Sequence, residues 1–126
     1  VEKQCIEVPG LERIGPYSQA VRAGNLLFVA GQPGVDPATG EAVGPGFAEQ
    51  ARQVFRNLEM VLSAANSRFD LVVNTTVLVA DIAEFAEVNR LFAEYFPVGP
   101  PARMTMQVPL PKGLLISIGC VAIVAE

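Results

Sequence analysis

The sequence predicts a helix-backed sheet: six strands with two helices on one face, an α+β arrangement. Three observations predict it. Two segments carry apolar residues at helical spacing, six others read as short strands, and the order is β-β-β-α-β-α-β-β. The two strand–helix units in series place both helices on the same face of the sheet.

The elements follow in chain order. Cys5–Val8 reads as a short first strand. Gln19–Arg22 and Leu26–Ala30 are separated by Ala23-Gly24-Asn25, a hairpin signal. Gly31–Gly46 reads as a long loop, because it holds Gly31, Gly34, Gly40, Gly44 and Gly46 with Pro33, Pro37 and Pro45. The first helix carries Phe47, Ala51, Val54, Phe55, Leu58, Val61, Leu62 and Ala65 on one stripe, and Asn66 is a left-handed stop. Val72–Val79 is rich in Val and Thr, as strands are. The second helix is expected to start at Asp81, with Glu84 completing an approximate capping box. Its stripe is Ile82, Phe85, Val88, Phe92, Tyr95 and Phe96, and Pro97 ends it. Met104–Val108 and Leu115–Val124 are the last two strands. The sheet face away from the helices then carries Val, Ile, Leu, Met and Cys. So large an apolar surface is rarely left in water, and a closed oligomer is the simplest way to bury it.

The chain has 126 residues, enough for one domain with a core, and 51% of them are hydrophobic. No apolar run reaches the length of a membrane helix, and Val1–Gly10 has no targeting pattern, so a cytoplasmic protein is expected. The net charge is −4 and the basic residues are scattered, which argues against nucleic acid as a partner. Cys5 and Cys120 have no metal-ligand spacing, and a disulfide between them has a low prior in that compartment. There is no histidine, which excludes Ser-His-Asp and Cys-His nucleophile systems and His-ligated zinc.

Arg103 is the candidate functional residue. Between Tyr95 and the terminal Glu126, the only charged residues are Arg103 and Lys112. Lys112 lies in a turn-like Pro111-Lys112-Gly113, where water reaches it. Arg103 opens the apolar run Met104-Thr105-Met106-Gln107-Val108. A guanidinium there needs an anion or a hydrated cleft. Two readings stand: an ion pair with one of the 13 acidic residues, or a fork that takes the carboxylate of a small ligand.

Other segments accompany Arg103 in a fixed order. They are Ile14-Gly15-Pro16-Tyr17-Ser18-Gln19-Ala20, Val29-Ala30-Gly31-Gln32, Asp81…Phe85…Val88-Asn89…Phe92…Tyr95-Phe96, Pro101-Ala102-Arg103 and Leu110-Pro111-Lys112-Gly113. In this order the chain resembles the Rid family, the reactive intermediate deaminases also called YjgF-like or L-PSP proteins, from Ile14 to Ala125. The resemblance implies residues 1–126 as a single Rid-like domain, with a chorismate-mutase-like fold, a mixed six-stranded sheet and a homotrimer whose sheets form a central barrel. It implies hydrolysis of enamines and imines such as 2-aminoacrylate to 2-oxo acids and ammonia, in clefts between subunits, with no metal or organic cofactor.

Carried over by motif, Arg103 grips the carboxylate of a small-molecule substrate and Tyr17 covers it. Gly31 permits close backbone approach, Asn89 reaches the cleft from the second helix, and Thr105 lies two residues beyond the arginine. For Asn89, a capped or solvated position on the helix surface is nearly as strong a reading. Members of the family carry Ile-Glu-Ile-Glu in the last strand, and the first Glu positions the attacking water. Here the stretch is Ile116-Ser117-Ile118-Gly119, so Ser117 takes that place. A serine orients water but is no general base near neutral pH. Arg103, Tyr17 and Ser117 are thus the expected catalytic group. The alternative to a deaminase is a non-catalytic trimeric binder or sensor of small carboxylates. RNA cleavage, a name attached to parts of the family, fits poorly with the acidic charge and the absence of histidine.

Overall fold

The computed structural model describes residues 1–126. The strands are β1 (Lys3–Ile6), β2 (Ala20–Ala23), β3 (Leu26–Pro33), β4 (Val72–Val79), β5 (Ala102–Gln107) and β6 (Ile116–Ile123), and the helices are α1 (Phe47–Ala64) and α2 (Phe85–Tyr95). They form one six-stranded sheet in the order β1-β2-β3-β6-β4-β5. β4 and β5 are parallel and joined across α2, and every other pairing is antiparallel. The sheet is therefore mixed, and β6 is inserted between β3 and β4.

Several boundaries differ from the sequence reading; among them, β5 begins at Ala102 and not at Met104, which brings Arg103 into the strand. β1 begins and ends two residues earlier than Cys5–Val8, because its last partner is Ile6 opposite Ala20. Val8 is buried beyond the strand, just before Gly10 turns the chain with φ +83°. β3 runs through Gly31 to Pro33 instead of stopping at Ala30. The register shifts between Val29 and Gln32, and pairing then resumes with Ile118 and Ser117. That bulge absorbs the glycine. The amide of Gln32, buried, donates to Gln19 Oε1 at 2.9 Å and to the Ala30 carbonyl at 3.1 Å. Asp81 caps a single 3-10 turn, Ile82–Glu84, by accepting from the Ala83 N–H, and α2 starts only at Phe85.

Other local readings agree with the structure. Gly24 turns the β2–β3 hairpin with φ +64°, and Asn66 ends α1 with φ 58°. Asn66 then bonds the chain end, donating from Nδ2 to the Ala125 carbonyl at 2.8 Å.

Both helices cover one face. Leu27, Val29, Val77, Val79, Ile116, Ile118, Cys120 and Ala122 point into it and meet Val54, Leu58, Val61, Val88 and Leu91 in one buried cluster. The helices are locked together by the Phe55 and Tyr95 rings, stacked 3.9 Å apart, and by Arg52, which bonds Glu94 and the Tyr95 hydroxyl. Gln50 is a buried polar link on α1. Its amide donates to the carbonyls of Gly44 at 2.9 Å and Gly113 at 3.0 Å, and accepts from the Leu115 N–H at 2.8 Å.

The opposite face is uncovered. Leu26, Phe28, Val73, Met104, Met106 and Ile123 stand on it, with Phe28 46% and Met104 58% exposed. The expectation of cysteine on that face holds for Cys5, whose partner Val21 pairs with Phe28. It fails for Cys120, which strand alternation turns into the helix-covered core. No helix is long and apolar enough to cross a membrane.

Candidate functional site

Arg103 is the second residue of β5, an edge strand, and pairs with Thr75 on the helix-covered side. Its Nη2 donates to Asn89 Oδ1 at 2.5 Å. Its guanidinium carbon lies 4.8 Å from the centre of the Phe92 ring and 5.3 Å from that of Phe85. The ion pairs of the molecule join Arg13 to Glu7, Arg52 to Glu94, Arg68 to Asp70 and Arg90 to Glu87 and Glu94. Arg103 is in none of them, so the ion-pair reading of this residue does not hold. It is instead a cation held in place by a neutral amide and two aromatic rings, with only one of its five N–H donors engaged. Its remaining donors are free for an anion.

Asn89 therefore faces the strand and is not simply a solvated helix residue. Thr105, two residues beyond Arg103 and on the same side of β5, has a hydroxyl that is buried and meets no protein donor or acceptor. Gln107 follows on that side, and its Oε1 accepts from the Ile82 N–H at 2.8 Å, which ties the entry to α2 against the strand. Sequence reasoning missed the part played by Phe85 and Phe92, which it placed only in the apolar stripe. Their spacing about Asn89, four residues before and three after, puts all three on one helix face and could have revealed it.

Gly31 and Ser117 form a second group. Ser117 pairs with Pro33 on one side and Leu78 on the other, which places it on the uncovered face. A Cβ on Gly31 would stand 3.0 Å from Ser117 Oγ, so a side chain there would crowd the hydroxyl. A Cβ on the neighbouring Gly119 would stand 3.3 Å from the Val29 carbonyl. Ser117 is separated from β5 by β4, two strand spacings or roughly 10 Å, and it points to the opposite face. One chain therefore does not bring Ser117 beside Arg103.

Tyr17 stands apart from both groups. It lies in the bend before β2, its N–H donates to the Gly15 carbonyl at 2.9 Å, and its hydroxyl accepts from the Ile14 N–H at 3.4 Å. β2 is four strand spacings from β5, roughly 19 Å in an untwisted sheet. The expected site residues thus fall into three places: Arg103, Asn89 and Thr105; Gly31 and Ser117; and Tyr17.

Two carboxyls on α2 are matched locally. Hydrogen bonds from Arg90 and Arg52 hold the Glu87 and Glu94 carboxyls below the ordinary carboxylate range. Burial pushes the Cys120 thiol up to about 12, so it is no nucleophile at neutral pH. Cys5 and Cys120 are both free. No group of three or more His, Cys, Asp or Glu side chains is placed to hold a metal.

Comparison with known proteins adds four findings. A family profile described as Endoribonuclease L-PSP matches residues 9–124. Human 2-iminobutanoate/2-iminopropanoate deaminase is 48% identical over 111 residues, 87% of this chain and 81% of that one. A RutC family protein of Pyrococcus horikoshii is 46% identical over 110 residues, 86% of this chain and 87% of that one. Among solved structures, RidA from the Antarctic bacterium Psychrobacter sp. superposes with a TM-score of 0.90 at 36% identity, covering 96% of this chain and 99% of that one.

Proposed function

The chain belongs to the Rid family, the group whose profile carries the L-PSP description, and from that membership we propose that it hydrolyses enamines and imines of small 2-amino acids. The products are a 2-oxo acid and ammonia. The observation that carries this reading is Arg103: a guanidinium without a carboxylate partner, oriented by Asn89 and two phenyl rings. The activity named for the human relative, deamination of 2-iminobutanoate and 2-iminopropanoate, is what a carboxylate-gripping site of this kind would serve.

In this reading the substrate carboxylate takes two of the free donors of Arg103. Water adds to C2 of the iminium, both of its protons pass to the nitrogen as the tetrahedral adduct forms and collapses, and the C–N bond breaks to leave the 2-oxo acid and ammonium. Arg103 holds the carboxylate and keeps C2 in place through both steps. Ser117 orients the water without removing its proton. Tyr17, Gly31 and Ser117 come from a neighbouring copy in a homotrimer assembled through the uncovered apolar face. The separation of the three groups within one chain supports such an arrangement. Residues 1–126 act as one domain, consistent with the single buried cluster.

A second reading is a non-catalytic trimeric binder of small carboxylates. It is favoured by Ser117 standing where an acid is expected, since general acid–base help is typically worth about 10²–10⁴-fold in rate. RNA cleavage has no support from the site: the chain is acidic and has no histidine.

One experiment separates the readings. A serine dehydratase generates 2-aminoacrylate, and pyruvate release is followed with wild type and Arg103→Ala. Acceleration by wild type alone supports the deaminase. If wild type binds pyruvate without accelerating its formation, the binder reading takes over.

A further inference from the structure

Gln32 faces inward where simple strand alternation would turn it outward. It stands three residues after Val29, yet both are buried, at 2% and 7% exposure. Residues three apart on a regular strand face opposite ways. The bulge between Val29 and Gln32 turns Gln32 into the interior. A primary amide buried there needs acceptors for its hydrogens. It finds Gln19 Oε1 at 2.9 Å and the Ala30 carbonyl at 3.1 Å.

The first of these bonds decides how the Gln19 amide is turned. With Oε1 held by Gln32, Nε2 faces the other way and donates to the Leu11 carbonyl at 3.4 Å. Leu11 and Gln19 are both buried, and they bracket the mostly exposed segment 12–18 that carries Tyr17. The bonds of that segment are local: Tyr17 N–H to the Gly15 carbonyl, Ile14 N–H to the Tyr17 hydroxyl, and Arg13 to Glu7 at 3.7 Å. The main chain of Gln19 is fixed to β3 by the Ala30 N–H at 2.9 Å. The Gln19 amide joins the leaving end of the segment, at Leu11, to this anchored end.

We propose that Gln32 and Gln19 are positioning residues for Tyr17: the pair closes the base of the Tyr17 segment and so fixes where the ring stands over the ligand. The inference rests on the reading that Tyr17 covers a carboxylate held by Arg103. A segment ordered before binding spares the ligand the cost of ordering it. Both glutamines are buried, so neither belongs to the uncovered face through which copies assemble. The strand beyond the bulge is paired with Ile118 and Ser117 through its main chain, without use of the Gln32 amide. Loss of that amide therefore loosens Tyr17 and leaves Gly31 and Arg103 in place.

A double-mutant cycle on pyruvate affinity, read by calorimetry, tests this. Tyr17→Ala is expected to weaken binding, and Gln32→Met to weaken it on the order of fivefold with fold and assembly unchanged. In the Tyr17→Ala background the same Gln32→Met change should cost less than about twofold, because the residue it positions is gone. A general loss of packing would weaken binding by the same factor in both backgrounds. A second readout needs no ligand. The chain has two tyrosines and no tryptophan, so Tyr95→Phe leaves Tyr17 as the only tyrosine emitter. Time-resolved anisotropy in that background should show a larger fast component after Gln32→Met. Gln19→Met, which keeps the main-chain bond to Ala30, should reproduce both effects, and it decides the matter if Gln32→Met does not fold. Equal penalties in the two backgrounds, or an unchanged anisotropy, overturn the inference. If Tyr17→Ala leaves pyruvate binding unchanged, the reading of Tyr17 itself fails and takes this inference with it. If Tyr17→Ala weakens binding and Gln32→Met does not, this inference alone fails.

Discussion

The two sides of the sheet are finished to different degrees. On the α2 side of β5, the candidate residues are supported from within the chain: Arg103 by Asn89, Phe85 and Phe92, and the helix start by Gln107. On the other side, Gly31 and Ser117 stand in close approach on a face that is mostly apolar and uncovered. The first side is supported from within one chain, and the second is uncovered in it. In the proposed reading the carboxylate grip and the placing of water are therefore separable properties of this fold, and the second depends on assembly.

The largest effect is expected from a charge on the unfinished side. Phe28→Asp should abolish assembly, because a carboxylate would be buried in an apolar interface. Sedimentation should show a trimer for wild type and a monomer for the variant, with circular dichroism unchanged. A monomeric wild type would remove the distinction between the two sides.

Next is Ser117→Glu, expected to raise turnover of 2-aminoacrylate on the order of 10²-fold by adding a general base. This works only if Ser117 of one copy meets Arg103 of another. Steady-state rates at matched trimer content decide the matter, and an unchanged or lower rate means the two sides do not cooperate in this way.

Arg103→Lys is expected to weaken pyruvate binding by about 2 kcal/mol, because the charge stays while one of two charge-assisted hydrogen bonds is lost. Calorimetry measures it, and equal affinity would mean that the fork is not used.

The smallest effect lies in the core between the two sides. Unfolded, Cys120 ionises near its ordinary value of 9.0, whereas folded it does so at about 12. Between these values the unfolded chain holds fewer protons than the folded one, so stability falls as pH rises across that window. Denaturant midpoints from pH 8 to 11 should fall less steeply for Cys120→Ala than for wild type.

What could be read from sequence follows from the range of the forces involved. Val72–Val79 and the start of α1 at Phe47 coincide with their predicted limits, because local periodicity and β-branching determine them. The bulge at Ala30 and Gly31 was hidden, since Gly31 and Pro33 discourage strand and only pairing with β6 keeps this segment in one. The insertion of β6 between β3 and β4 is a non-local choice with no sequence marker. For the same reason the sequence suggests that Arg103 and Ser117 are neighbours, while sheet register sends them to opposite faces. Asn89 was undecided because its partner, Arg103, lies on a different element.

The three hydrogen bonds of Gln50 divide a segment that looks uniform in sequence. Gly44 is fastened to α1, Gly34 packs so closely that a Cβ there would stand 2.6 Å from that of Gln50, and Gly113 and Leu115 hang from the same amide. The exit of β3 and the entry of β6 are therefore tied to one helix residue, whereas the tip around Ala38–Glu41 is closed only by its own turn onto Asp36. That tip is where a protease would nick the folded protein first, and where a peptide tag could be spliced in with the sheet left intact.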